Sequence, residues 1–234
     1  MTVTSTTTQT DSENMANANV ILPFDVCEEH EVEDVGELKP KRVYGFFKRT
    51  MDILVSLVAL LIVLAPMLII ALLIICTSRG GAFYCQDRLG LNGKRIKIIK
   101  FRTMRFDAEK EGAQWSAGKQ DVRITGLGRF LRKFHLDELP QLLCILKGDM
   151  SLVGPRPERE IFYDEFEKYI HGFRQRLKVK PGLTGLAQVN GGYNLKPEEK
   201  IVYDIQYIKT RSVWTDIKIM FATVKVVFRG EDAK

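Results

Sequence analysis

The chain has 234 residues, 45% of them apolar and 27% charged, with 35 Lys and Arg against 29 Asp and Glu. These values exclude wholesale disorder and a multi-span membrane protein, and eight prolines with 18 glycines exclude collagen-like or proline-rich architecture. The charge is uneven: residues 1–38 carry nine carboxylates and no Lys or Arg, so the remaining residues hold all 35 basic groups against 20 acidic ones, a difference of +15. A body that basic favours an anionic partner, whether phosphate groups, an acidic lipid surface or nucleic acid.

Residues 1–38 open with a Thr/Ser/Asn-rich stretch and then turn acidic, with Val20 to Phe24 as the one apolar island. This composition predicts a mobile tail. It is not a signal peptide, because a basic n-region is absent and the apolar stretch begins some fifty residues in. Cys27, Cys76, Cys85 and Cys144 form no CxxC pair and read as reduced, structural thiols.

Ile53 to Cys76 is 24 residues without a formal charge, roughly 36 Å as a straight helix against roughly 30 Å of bilayer hydrocarbon. Only Ser56 is polar, so membrane insertion is expected. Pro66 lies near the middle and removes a backbone donor. Lys41, Arg42, Lys48 and Arg49 precede the segment, and Arg79, Arg88, Lys94 and Arg95 follow it. Balanced basic flanks suit a hairpin returning to the same side, with a kinked spanning helix as the alternative. Lys48, Arg49 and Asp52 are spaced so that on a helix Asp52 reaches both cations, as interfacial anchors or as a lipid-phosphate site.

Ala82 to Gln86 and Arg95 to Phe101 are strand-like around an Asn92-Gly93 turn signal, which predicts a hairpin. Arg102 follows at a strand end, where a guanidinium can fork onto a phosphate or simply face solvent. A basic amphipathic run, Arg129 to Phe134, leads through His135 to Asp137-Glu138 and an apolar helix from Gln141 to Leu146. Pro140 suits a first helical turn, so the two carboxylates are expected at a helix N-terminus, as cap residues or as metal and phosphate chemistry. Pro155 and Pro157 bracket Arg156 and limit where it points, which suits a preorganised anion contact or a plain loop.

Phe162, Phe166, Ile170, Phe173 and Leu177 are spaced as the apolar face of one helix beginning near Glu158. The loop from Lys180 to Gly192 is glycine-rich but matches neither GxGxxG nor a Walker pattern. At the C-terminus Trp214, Ile217, Phe221, Val224 and Phe228 share a helix side, with Lys218, Lys225 and Arg229 for its polar side; an interfacial helix and a core helix both fit.

Lys48-Arg49-x-x-Asp52, the run Lys100 to Met104, DELPQ at Asp137 to Gln141, DMSLVGPRPE at Asp149 to Glu158 and PGLTGLAQVNG at Pro181 to Gly191 occur in that order. Together, over roughly residues 41–230, they resemble the bacterial sugar transferase family, monotopic phosphoglycosyl transferases that start glycan assembly on polyprenyl phosphate. One departure is Ala65-Pro66 where the family often has Ser-Pro; a serine hydroxyl would help satisfy the freed carbonyl.

The expected fold is α/β: a small, mostly helical catalytic domain with a short β-hairpin, attached to a Pro-broken re-entrant membrane helix and an interfacial amphipathic C-terminal helix. The expected organisation is an acidic tail over 1–38, an interfacial and membrane helix over 39–80, and a cytoplasmic catalytic domain over 81–234. The resemblance implies transfer of a sugar-1-phosphate from a nucleotide diphosphate sugar, a UDP-sugar by expectation, to polyprenyl (undecaprenyl) phosphate at the bacterial cytoplasmic membrane, initiating exopolysaccharide, capsule or other glycan assembly. It assigns Asp137 as the nucleophile that forms an aspartyl-phosphosugar and Glu138, with Asp137, as ligand of Mg²⁺.

A carboxylate attacking a diphosphate meets charge repulsion, so cations must neutralise the oxygens, and Arg102, Arg132 and Arg156 are the candidates. Gln188 and Asn190 are candidates for nucleotide or sugar contacts, and Lys48 and Arg49 for the acceptor phosphate at the interface. Membrane lipid is an expected partner and nucleic acid is not; a homo-oligomer is compatible with the sequence. The competing class is a membrane-anchored basic binding module with a purely structural carboxylate pair, which leaves the conjunction of motifs to chance.

Overall fold

A computed structural model describes residues 29–108, 121–192 and 195–229. Its longest element, α1 (Arg42–Thr77), begins well before the uncharged stretch and continues through Pro66. The expected break is therefore no interruption of the helix. Proline removes one backbone bond and crowds the preceding turn, but Val63, Met67 and Ile70 around it pack on the body of the protein and hold both halves against one surface.

The side chains that α1 turns inward are Asp52, Ser56, Leu60, Val63, Met67, Ile70 and Ile74, steps of three and four that define a single helix face. The rest of the helix is apolar and exposed, including Leu54, Leu61, Ile62, Leu68, Ile69 and Leu72. By length and composition α1 could cross a membrane.

Two strands follow, β2 (Phe83–Leu89) and β3 (Arg95–Phe101), paired antiparallel from Phe83↔Phe101 to Leu89↔Arg95. The first runs three residues beyond its expected end. The turn falls where Asn92-Gly93 places it, both residues having positive φ (55° and 76°), which their small side chains tolerate. Ile96 and Ile98 point into the main core beside Ile145, Met150 and Val153.

Next come α2 (Gly126–Lys133), capped by the Thr125 hydroxyl accepting from Gly128 N, α3 (Gln141–Lys147) and β4 (Ser151–Val153). The single helix expected over Phe162 to Leu177 is replaced by three pieces: α4 (Glu160–Glu167), β5 (Ile170–His171) and a 3-10 turn at Phe173–Lys178. The helix ends at Glu167, and Gly172 at φ 94° turns the chain from β5 into the 3-10 segment. The apolar spacing still reports burial, because Phe162, Phe166, Ile170, Phe173 and Leu177 are all in the core.

The glycine-rich loop supplies β6 (Gly182–Thr184), which pairs in parallel with β4, and α5 (Leu186–Val189). A Cβ on Gly182 would lie 2.1 Å from Gly154 N, so these two backbones meet only because both residues are glycine. The loop thereby fixes the Gly154-Pro155-Arg156 turn. The last described elements are α6 (Pro197–Thr210) and α7 (Val213–Arg229).

Residues 29–38 depart from the expected mobile tail. β1 (His30–Glu31) pairs in parallel with β5, and Val32, Val35 and Leu38 pack on the main core. Ion pairs Glu33–Lys209, Asp34–Lys178 and Glu29–His171 join it, but exposed pairs contribute only about 0–1 kcal/mol each, so the apolar contacts hold this strap. Val20 to Phe24 and the rest of the expected tail lie outside the described residues.

Candidate active site

Asp137 and Glu138 lie in a 3-10 turn, Leu136–Glu138, that follows His135 at φ 54°. Pro140 takes the N-cap position of α3, so the carboxylates precede that helix instead of occupying its first turn. The left-handed residue starts a separate turn, a strained arrangement for a non-glycine residue. Both side chains are buried.

Their surroundings differ. Glu138 Oε1 accepts from Lys100 Nζ at 2.7 Å and from Arg156 Nη2 at 2.5 Å, and its Oε2 accepts from Arg156 Nη1 at 3.2 Å. Burial alone would raise the Glu138 carboxyl, but Arg156 and Lys100 outweigh it and hold the group well below the usual carboxylate range. Asp137 has no hydrogen bond or ion pair among the described residues. Burial first, and the neighbouring Glu138 charge second, push its carboxyl above the usual range, against the pull of Lys100, Arg132 and Arg156.

Further ion pairs fix this centre. Arg176 Nη2 donates to the Arg156 carbonyl at 2.9 Å while its Nε binds Asp204 at 2.6 Å, and Arg88 binds Glu158 at 2.9 Å. Asp137 and Glu138 open into a cavity of about 1230 Å³. Eleven lysines and arginines line it against four carboxylates, Asp121, Asp137, Glu138 and Glu158, so its natural occupant is an anion. Lys200 on its wall is brought down to about 8, by burial and despite Glu158.

The other residues singled out in the sequence divide. Arg132 lines the cavity and donates through Nε to Thr103 Oγ1 at 2.9 Å. Arg102 reaches the cavity wall, but its guanidinium donates to the carbonyls of Ser78, Arg79 and Gly80 at 2.9, 2.6 and 3.2 Å and so closes the exit from α1. Its hydrogen bonds in this structure are thus structural, while it still forms part of the cavity wall.

Gln188 lines the cavity with Nε2 on Leu183 O and with Oε1 buried and unbonded. Asn190 spends its amide on Leu186 O, is exposed and is not part of the cavity wall.

Lys48, Arg49 and Asp52 also have different work from that expected. Asp52 does not pair with its two neighbours; it accepts from Leu152 N at 2.9 Å and Ser151 Oγ at 3.0 Å. Lys48 pairs with the fully buried Asp216 at 2.9 Å, and Arg49 caps the carbonyls of Ile145 and Leu146 at 2.7 Å. The motif docks α1 onto α3, β4 and α7.

In α7, Asp216 and Ile219 face inward while Trp214, Phe221 and Val224 are exposed. The expected apolar stripe is therefore on the surface; the side chains of Phe228 and Arg229 lie outside the described set.

Lys100, Arg88, Arg176 and Lys200 were not anticipated. Lys100 had a signal, since it continues the inward row Ile96, Ile98 at strand period two. Arg176 and Asp204 are 28 residues apart, and nothing local pairs them.

Among the described residues, then, an aspartate with no hydrogen-bond partner lies buried beside a cation-clamped glutamate, in a basic cavity close to a long apolar helix. Residues 43–230 match the bacterial sugar transferase family, and the chain belongs to it.

It is 41% identical over 203 residues to the UDP-N-acetylgalactosamine-undecaprenyl-phosphate N-acetylgalactosaminephosphotransferase of Aeromonas hydrophila, covering 86% of this chain and 48% of that one. It is 44% identical over 189 residues to the UDP-glucose:undecaprenyl-phosphate glucose-1-phosphate transferase of Klebsiella pneumoniae, covering 79% and 40%. With the undecaprenyl-phosphate galactose phosphotransferase of Salmonella typhimurium identity is 41% over 207 residues, covering 82% and 43%. The chain thus spans less than half the length of these relatives.

Proposed function

We propose that this chain transfers a sugar-1-phosphate from a UDP-sugar to undecaprenyl phosphate, the first step of exopolysaccharide, capsule or another glycan, with Asp137 as nucleophile. The observation that carries the reading is the contrast between the two adjacent carboxylates. Glu138 is neutralised by Lys100 and Arg156, whereas the Asp137 carboxylate is held in the same basic cavity with no partner among the described residues. The names of the relatives supply the donor and acceptor classes.

In the first displacement an Asp137 oxygen bonds to the sugar-bearing phosphorus, the bond from that phosphorus to the bridging oxygen breaks, and UMP leaves with that oxygen. In the second, an oxygen of the acceptor phosphate attacks the same phosphorus. The aspartyl bond breaks, the carboxylate is restored, and a sugar diphosphate lipid departs. Arg156 and Lys100 face the diphosphate from Glu138, which holds both side chains in place. Arg132 adds a guanidinium on the same wall.

No group of three or more His, Cys, Asp or Glu side chains able to hold a metal occurs among the described residues. Mg²⁺ is commonly bound by one or two carboxylates plus water and substrate phosphates, and Asp137 fits that limited donor set, whereas Glu138 would join it only by giving up oxygens now held by Lys100 and Arg156. Bound there, Mg²⁺ would supply charge neutralisation of the diphosphate oxygens.

The membrane topology belongs to the same proposal. α1 packs along one face from Asp52 to Ile74 on a single body, so both of its ends lie beside the catalytic cavity's domain. A helix crossing the bilayer would carry its far half away from that body. On this reading α1 stays on the cytoplasmic side of the bilayer, with the exposed apolar faces of α1 and α7 in lipid and the catalytic body in the cytoplasm.

The direct test is a single-turnover assay of the full chain in membranes with sugar nucleotide alone. One equivalent of UMP per active site should appear, with the phosphosugar retained on the protein, and Asp137→Asn should abolish both. Turnover by Asp137→Asn would mean direct attack by the lipid phosphate and would overturn the nucleophile.

A further inference from the structure

The catalytic cavity is large and carries both charged and apolar walls. Pockets for a single small molecule run to about 300–1,000 Å³, against about 1230 Å³ here. Arg88, Lys100, Arg156, Arg159 and Lys200 line it in one chemical character, whereas Val55, Leu183, Met220, Thr223, Val226 and Val227 line it in another.

Met220, Thr223 and Val227 are spaced i, i+3, i+7, one face of α7. The Thr184 hydroxyl meets the Thr223 hydroxyl at 2.7 Å and ties that face to β6. Val55 belongs to the half-exposed apolar surface of α1, so the greasy part of the cavity is continuous with the surface that the topology above puts in lipid.

We infer that the apolar part of the cavity, walled by Val55 of α1 and by Met220, Thr223, Val226 and Val227 of α7, receives the first isoprene units of the acceptor, which slides in from the bilayer between these helices. The inference rests on the transfer reading above and adds where the acceptor chain lies. Burying successive apolar carbons there, while the phosphate reaches Asp137, would make acceptor use depend on chain length near the phosphate. α7 is then a substrate wall as well as a surface helix.

The test uses the full chain in phosphatidylcholine vesicles and a polyprenyl phosphate carrying a diazirine in its first isoprene units. Photolysis should label residues 220–227 and Val55, and unlabelled polyprenyl phosphate should compete where phosphatidylglycerol does not. Labelling confined to the smaller cavity of about 210 Å³ beside Tyr44, Arg49 and Lys180, or equal competition by phosphatidylglycerol, would overturn the proposal.

In the kinetic arm, Val226→Trp should raise the KM for acceptor at least tenfold relative to its effect on the UMP burst from donor alone, and Val226→Ile should restore it. Equal loss in both half-reactions, or no change in acceptor KM, would count against the assignment. Absence of any UMP burst from the unsubstituted chain would instead defeat the transfer reading and leave the photolabelling result to stand by itself.

Discussion

Arg156→Lys removes a fork and keeps a charge, and the geometry says how much that matters. Arg156 reaches both oxygens of Glu138, at 2.5 and 3.2 Å, while its backbone is pinned by Pro155, Pro157 and the Arg176 bond to its carbonyl. A lysine ammonium is a point donor on a flexible stem and can satisfy one of those oxygens, not both in plane. A lost charge-assisted bond costs about 1.5–3 kcal/mol, which is about ten- to more than a hundredfold in rate if the guanidinium also meets the transferring phosphate.

Rapid-quench measurement of UMP release from sugar nucleotide alone reads this step without the acceptor. A double-mutant cycle with Glu138→Gln separates positioning from direct contact, since the neutral amide removes the Glu138 charge beside Arg156. Coupling on the order of 1–3 kcal/mol is expected for residues joined this closely. Near-unchanged turnover of the Arg156→Lys variant would refute the reasoning and reduce Arg156 to a loop-shaping residue.

Asp137→Asn should stabilise the fold while ending catalysis. The folded state holds the Asp137 proton more tightly than the unfolded chain, so this group's stabilising contribution is full below the ordinary aspartate range and lost as pH rises through its raised value. At pH 8 the asparagine variant should melt higher, by about 2–4 °C per kcal/mol recovered; an unchanged midpoint would deny that the carboxylate is strained.

For the same reason UMP release should fall on acidification at a higher pH than an ordinary aspartate would give, and a pH–rate profile flat down to pH 4 would contradict it. Asp216→Asn breaks a buried pair with Lys48 and the bonds from Tyr207 and Tyr44, a loss of about 3–5 kcal/mol. Thermal unfolding should drop sharply, and Lys48→Met in the same chain should recover part of the loss. Single cysteines at Glu37 and Asp87, in a chain lacking the native four, should both be shielded from an impermeant thiol reagent in intact cells; labelling of Glu37→Cys alone would establish a spanning helix.

Local chemistry was enough to locate the long apolar helix, the Asn92-Gly93 hairpin turn and the burial of Phe162, Phe166, Ile170, Phe173 and Leu177. Charge-free length, paired positive-φ residues and apolar spacing each act within a few residues of chain. The carboxylate pair was legible for the same reason, because adjacency in sequence is adjacency in space.

What tertiary structure alone decided is which charges are free. Lys48, Arg49, Asp52 and Arg102 look available in the sequence, yet their partners are Asp216, the end of α3, β4 and the end of α1, from 22 to 168 residues away. Lys100 and Arg156 become a clamp only when β3 and the β4–β6 glycine contact bring them onto Glu138. The cost of burying a charge is set by what surrounds it. Asp137 and Glu138 read alike as adjacent carboxylates, and the fold separates them by giving Glu138 hydrogen bonds from two cations and Asp137 none among the described residues.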